Sequence, residues 1–389
     1  MVAVKAYSRF LLALAAQFAL FSGCSERAVV PRSEAQSVVL SELWTVGRAE
    51  GDGPDLFGEI GGLLVDSLGR AHVLDSSAGE IRMFDSGGRY ARTYSGPGSG
   101  PGELLGPAGL ALHPTGEIWI LDVSNNRWSV FDTSGVHRAD VRRPASGFSR
   151  PWMGGFDQDG RILDVTFRPS AEGTEMVLVR AKILRRPDGR PTAVQATDTF
   201  ALPRPPVDRF IVTEIDPSGR RRQVSVAIPF TAGLRRELSP GGTVWEGRTD
   251  RFRLVEYVPG GDTLRRVERA AVAVPVAAGE IDSALAVLGE RTSPGLDWDR
   301  SRIPGTWPIL EGFFADGARR LFVRPIERPP VPGFDLLVAA GAWVRLRSEA
   351  RLELEPRPAV RGDTLWAVVR DELGVNRLRK ATWKGAPDS

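Results

Sequence analysis

The stretch PAGLALHPTGEIWILDVSNNRWSVFDTSGVH, residues 107–137, reads as one small β-sheet. Gly109-Leu110-Ala111-Leu112 is an apolar run that meets the turn His113-Pro114-Thr115-Gly116. Ile118-Trp119-Ile120-Leu121 follows and ends at Asp122 and a polar loop. Trp128-Ser129-Val130-Phe131 alternates apolar and polar, then meets Asp132-Thr133-Ser134-Gly135. Short β-branched and aromatic runs between Gly-bearing turns are hairpin signals, because glycine supplies the positive φ that tight turns need.

The same sheet occurs once upstream. Gly62-Leu63-Leu64-Val65-Asp66 leads through Ser67-Leu68-Gly69 to Ala71-His72-Val73-Leu74-Asp75, then Ile81-Arg82-Met83-Phe84-Asp85. Gly69 and Gly116, Asp75 and Asp122, Phe84 and Phe131 all stand 47 positions apart. A period in the forties with several strands per unit is the sequence sign of a β-propeller blade. One such sheet has two apolar faces and can bury neither alone, whereas radial stacking buries both. The expected fold class is all-β, a propeller counted as six four-stranded blades, with five or seven left open by an irregular middle, and one helical insertion.

Working outward, residues 37–47 (SVVLSELWTVG) are expected to close the ring by pairing with the last blade. A third unit starts at Trp152 and runs through 162–165, 176–179 and 192–200. A further hairpin, 210–215 with 223–228, is assigned to blade three or blade four without a choice between them. A fourth unit spans 234–262, a fifth opens at Gly312 and ends near Leu354, and a sixth spans 362–383. Residues 277–290 (AAGEIDSALAVLGE) place Ile281, Ala284, Leu285 and Leu288 on one helical face. That helix is expected on the outside of the ring or over one mouth of its channel.

Composition agrees with a turn-dense β-protein: 42% apolar residues, 43 Gly and 29 Pro in 389 residues. Charges nearly cancel at +3 and are interspersed, which gives no nucleic-acid footprint. Arg220-Arg221-Arg222 directly follows a turn and reads as a solvated hairpin tip. The N-terminus carries Lys5 and Arg9, then an apolar stretch over 10–21 too short to span a bilayer, then Ser22-Gly23-Cys24-Ser25. Small residues directly before a cysteine resemble the bacterial lipoprotein signal, and that resemblance implies cleavage before Cys24 and lipidation of Cys24. Residues 1–23 are then the signal peptide, 24–36 a lipidated tether and 37–385 the propeller. Ser25 resembles the outer-membrane default, which implies a cell-envelope lipoprotein facing the periplasm or the surface, partnered with the membrane through its lipid. Cys24 is the only cysteine, so no intramolecular disulfide can form.

The repeated residues resemble bacterial six-bladed propeller lipoproteins with NHL-type repeats. The resemblance lies in the Gly-apolar run, the Asp/Pro-x-Gly turn, Leu74-Asp75 and Leu121-Asp122, Val130-Phe131-Asp132, and Gly100-Pro101-Gly102-Glu103. It covers about residues 40–385 and is closest over 60–137. It implies the fold and leaves the function open, since propellers host lyases, lactonases, sensors and passive scaffolds.

Candidate chemistry is sparse. His72, His113 and His137 do not coincide in repeat register and read as strand-packing or surface residues. Lactonase-like propellers hold a divalent cation with Glu, Asn and Asp from inner strands, an oxygen set suited to Ca²⁺. Only Asn125, Asn126 and Asn376 occur here, none on an expected innermost strand. Asp75 and Asp122 recur in register and are expected to cap the turn after their strand. A binding surface belongs on the face where blade-to-blade connections and second-to-third-strand loops emerge. The candidates there are Glu59, Glu103, Arg127, Arg150, Trp152, Arg235, Arg248 and Trp307, with Arg and Trp the pairing expected of recognition hot spots. No catalytic residue, metal ligand or cofactor is assigned. The reading is a non-catalytic binding or scaffolding module for a protein, small-molecule or glycan ligand. The alternative is a metal-dependent lactonase-like hydrolase or lyase with Ca²⁺ in its channel.

Overall fold

In the computed structural model, which describes residues 36–144, 151–171, 173–215, 220–291, 298–338 and 341–384, the repeat becomes six four-stranded antiparallel blades around a channel. Two strands precede them, β1 (Gln36–Val39) and β2 (Ser41–Val46). Blade 1 is β3 (Ile60–Val65), β4 (Ala71–Asp75), β5 (Glu80–Phe84) and β6 (Tyr90–Tyr94). Blade 2 is β7 (Pro107–Leu112), β8 (Glu117–Asp122), β9 (Arg127–Asp132) and β10 (His137–Arg142). Blade 3 is β11 (Gly155–Phe156), β12 (Ile162–Ser170), β13 (Gly173–Arg185) and β14 (Pro191–Ala201). A separate hairpin, β15 (Arg209–Ile215) and β16 (Arg221–Ala227), comes next. Blade 4 is β17 (Leu234–Leu238), β18 (Val244–Arg248), β19 (Arg253–Tyr257) and β20 (Thr263–Glu268), followed by helix α1 (Ala278–Arg291). Blade 5 is β21 (Leu310–Ala315), β22 (Leu321–Pro325), β23 (Gly333–Leu337) and β24 (Trp343–Arg347). Blade 6 is β25 (Ala359–Arg361), β26 (Thr364–Arg370) and β27 (Asn376–Thr382), completed by β2.

The ring closes where the sequence suggests, with one refinement. Residues 37–47 form two strands rather than one: β1 runs parallel to β24 on the edge of blade 5, and β2 runs antiparallel to β27. Leu40 is buried at the crossing, and its N–H donates to the Arg347 carbonyl at 2.7 Å. One segment thus covers two sheet edges that would otherwise expose unpaired backbone groups.

Each of the six blade-to-blade seams holds one cluster of buried apolar side chains. Leu74, Ile81, Ile118 and Phe131 fill the seam between blades 1 and 2, and Trp366, Leu378, Val65 and Phe84 the seam that closes the ring. The seams differ in depth. Among the described residues, fourteen buried side chains join blades 5 and 6, and six join blades 3 and 4.

The innermost strands of blades 1, 2 and 5 all begin with a bulge, between Ile60 and Gly62, Pro107 and Gly109, and Leu310 and Gly312. Glycine after the bulge lets neighbouring backbone approach: a Cβ on Gly109 would stand 2.9 Å from Trp152 Cβ. Blade 4 has no such bulge, and Leu234 to Leu238 pair in unbroken register with Arg248 to Val244. Blade 6 departs in another way. Leu352 bridges to Val369, the chain then leaves the sheet over 354–358, and β25 resumes pairing at Ala359. Pro356 and Pro358 have no N–H to give the ladder, so this stretch turns into the channel instead.

The hairpin left unassigned between blades three and four belongs to neither. Phe210, Val212 and Ile228 pack against Ile281, Leu285 and Leu288 of α1, so hairpin and helix make a satellite core of their own. Glu280 Oε2 accepts the Ala277 N–H at 2.9 Å, half of a capping box that starts the helix. The helix is therefore held against the hairpin on its apolar face. Among the described residues no helix is long and apolar enough to cross a membrane.

Candidate functional site

The straps that carry the chain from one blade to the next are pinned by carboxylates. Asp75 accepts N–H groups from Gly58 at 2.9 Å and Glu59 at 3.3 Å, besides Ala78 in the turn that follows it. Asp122 accepts Gly106 at 2.9 Å and Leu105 at 3.3 Å. These carboxylates thus hold the incoming strap as well as the turn after their strand, Asp122 doing the latter by accepting from the Asn125 side-chain amide at 2.6 Å. Burial works against the charge on Asp75, but bonds from Ser77, Gly58 and Ala78 outweigh it and keep the carboxyl below its ordinary range. In blade 4 the same service comes from Thr249, whose hydroxyl accepts the Gly233 N–H at 2.9 Å.

Seven of the eight surface candidates lie among the described residues; Arg150, like Cys24, lies outside them. Most are occupied by the protein itself. Glu103 accepts the Gly100 N–H at 2.7 Å. Arg127 donates to the carbonyls of Gly100 at 2.7 Å and Glu103 at 2.8 Å and faces Asp140 at 3.3 Å, bracing the glycine-rich strap. Trp152 is buried and donates to Asp164 at 3.1 Å. Arg248 pairs with Asp250 at 2.9 Å. Glu59 is held through its backbone while its carboxylate stays exposed.

Arg235 and Trp307 are different, because the fold brings them into one cleft. It has a volume of about 510 Å³ and lies between blades 4 and 5, beside the satellite, against Leu234, Phe230 and Val207. Trp307 donates to Glu280 at 3.1 Å, meets Phe230 edge-on at 4.6 Å between ring centres, and lies under the Arg328 guanidinium. That clasp ties the helix start to blade 5. Arg204, which follows blade 3, lines the same cleft.

A second space of about 320 Å³ opens from it into the channel mouth, where Arg204 and Arg235 are joined by Arg236, Glu237, Glu355 and Arg357. Four arginines stand against two glutamates. Arg236 is neutralised by Glu246 and also bonds the carbonyls of Leu202 and Pro203. Arg357, carried in by the 354–358 stretch, donates to the Leu238 carbonyl. Arg204 and Arg235 make no hydrogen bond or ion pair among the described residues. Burial, then the charges of Arg236 and Arg235, lower the Arg204 pKa from its ordinary value. Burial pushes Glu237 up to about 7, with Arg357 and then Arg235 opposing the shift and Glu355 adding to it.

Of this group, sequence reading names only Arg235 and Trp307. A signal for more was present: Leu234-Arg235-Arg236-Glu237-Leu238 puts three charges on an innermost strand whose counterparts in blades 1 and 2 are glycine and apolar residues. Arg204, Glu355 and Arg357 sit in irregular segments with no repeat register to place them.

The three histidines occupy separate surroundings. His72 is buried between Tyr94 at 2.9 Å and Asp66 at 3.3 Å, His113 contacts Thr115 and the Gly160 carbonyl, and His137 faces Asp140. Burial acts against the charge of Asp66, yet bonds from His72 and Arg70 hold its carboxyl far below the usual range. No group of three or more His, Cys, Asp or Glu suited to a metal ion occurs among the described residues.

No protein-family model matches the chain, and no curated protein matches it in sequence. Solved propellers resemble it in fold. Virginiamycin B lyase from Staphylococcus aureus is 12% identical over 83% of this chain and 94% of its own, with a TM-score of 0.42. An exported protein from Bacteroides fragilis is 11% identical over 92% and 98%, at 0.45. The calcium-binding protein regucalcin from Agrobacterium tumefaciens is 14% identical over 90% and 97%, at 0.36. At this distance the likenesses describe a way of folding and carry no argument about ligand or chemistry.

Proposed function

We propose that the chain is a non-catalytic binding module, an NHL-like propeller anchored to the cell envelope by a lipid on Cys24, that takes its ligand at the cleft between blades 4 and 5. The observation that carries the binding reading is the cleft itself. It joins the channel mouth to a space walled by Trp307 and Phe230, and two of its guanidiniums are unoccupied by the protein. The lipid anchor rests on the sequence Ser22-Gly23-Cys24 after a short apolar run. Its test is fractionation of the full-length chain expressed in a bacterial host. Wild type is expected in the membrane fraction and Cys24→Ser in the soluble fraction, and membrane retention of Cys24→Ser overturns the anchor. The non-catalytic reading is tested with a panel of lactones and esters, with and without Ca²⁺. Turnover that chelation abolishes would replace it with the lactonase-like alternative.

A further inference from the structure

We infer that the cleft shared by Arg204 and Arg235 receives an organic anion, its carboxylate or phosphate held between the two guanidiniums and its apolar body lying against Leu234, Phe230 and Trp307. This rests on reading the cleft as a binding site, and it adds the chemical class of the ligand.

Three guanidiniums, those of Arg204, Arg235 and Arg236, act on one another across the cleft, and Glu246 neutralises only the third. Like charges crowded at a half-enclosed site repel unless an anion joins them. No carboxylate forms a hydrogen bond or ion pair with the other two among the described residues. Glu311 lines the same cleft but is taken by Arg351 at 2.6 Å and Arg324 at 3.5 Å. Glu237 and Glu355 line the channel side with Arg357, and Glu237, though its charge acts on Arg235, makes no ion pair with it. Nor does the fold need a cation at position 235. The equivalent positions after the bulge in blades 1, 2 and 5 are Gly62, Gly109 and Gly312, and Arg235 makes no bond that holds its strand. Arginine's planar fork matches carboxylate and phosphate oxygens in pairs. The remaining wall is apolar and aromatic, as in sites that bury the body of an organic ligand and orient it with a few polar groups.

The test is calorimetric titration of the purified full-length chain at about pH 8 and low salt with phenyl phosphate, phenylacetate, inorganic phosphate and benzyl alcohol. Phenyl phosphate and phenylacetate should bind, benzyl alcohol should not, and binding should weaken several-fold when salt shortens the screening length. Arg235→Gln and Arg204→Gln should each weaken phenyl phosphate about tenfold or more, whereas Arg190→Gln, an exposed arginine that faces Asp188 and lines neither space, should change nothing. Trp307→Leu should weaken phenyl phosphate and leave inorganic phosphate unchanged, which separates loss of the apolar wall from misfolding. Benzyl alcohol binding as well as phenyl phosphate would overturn the anion inference while leaving a binding cleft. Phenyl phosphate binding that survives both arginine changes, or no binding of any anion at millimolar concentration, would overturn it as well. Hydrolysis of phenyl phosphate would instead overturn the non-catalytic reading and leave the anion site standing.

Discussion

Blades 1 and 4 begin from the same plan and end with opposite surfaces. In blade 1 the inner strand bulges at Gly61, places Gly62 against Leu110 of the next blade, and buries Leu63, Leu64 and Val65. In blade 4 the bulge is missing, and Arg235, Arg236 and Glu237 occupy the strand that faces the channel. The strap before each strand is pinned in both, by Asp75 in one and Thr249 in the other. What differs is packing: where glycine lets backbones close together, the channel wall is apolar, and where arginine stands, the wall stays open and charged. The two seams of blade 4 differ as well: the one with blade 3 is thin, whereas the one with blade 5, below the cleft, is well filled.

The sharpest way to break this comparison is to weaken each side in turn. Trp119→Ala empties a wholly buried indole from the seam between blades 2 and 3 and should cost about 3–5 kcal/mol in urea unfolding. Leu178→Ala, in the seam between blades 3 and 4, should fall near the lower end, about 2 kcal/mol. Equal losses would show the seams to be equally well packed.

Glu237 tests the charged side. Its pKa of about 7 is raised above the unfolded value, so the native state holds the proton more tightly. The stability this contributes is full below about pH 4.5 and is lost as pH rises through 7. Glu237→Gln, a mimic of the protonated form, should therefore raise stability by about 3 kcal/mol at pH 8 and do nothing at pH 4. Thermal melts across pH check it. A flat difference between the two proteins would mean that Glu237 titrates as an ordinary carboxylate. The same variant should also tighten phenyl phosphate at pH 8, by removing a negative charge beside Arg235.

The smallest effect concerns the matched positions themselves. Gly109→Ala should cost about 1–2 kcal/mol, since its new Cβ meets Trp152. Arg235→Ala should stay within about 0.5 kcal/mol of wild type, as expected of an exposed residue with no bond to lose. A large loss from Arg235→Ala would make it a structural residue and remove the ground for a ligand there.

The regular part of this architecture is legible in sequence because its causes are local. Gly69 and Gly116 recur in the same turn, Ile118-Trp119-Ile120-Leu121 must be buried on both faces, and the interval of 47 ties the two units together. The irregular parts are illegible for the matching reason. The hairpin over 209–227 and α1 show ordinary strand and helix patterns, but nothing in either says that its apolar face is meant for the other. Of the cleft, only Arg235 and Trp307 were readable. Arg204 and Arg357 arrive from segments without repeat register, 153 residues apart in the chain.

The blade, its repetition and the need for radial stacking can be read along the chain, since alternation, turn chemistry and burial act over a few residues and are written where they act. So can the need for residues 37–47 to cover an edge. That this segment covers two edges, that the helix and stray hairpin bury each other, and that Arg204, Arg235 and Trp307 share a space emerge only once the chain is folded. Those outcomes depend on which distant surfaces meet when the ring closes, and on two arginines that form no ion pair once it has.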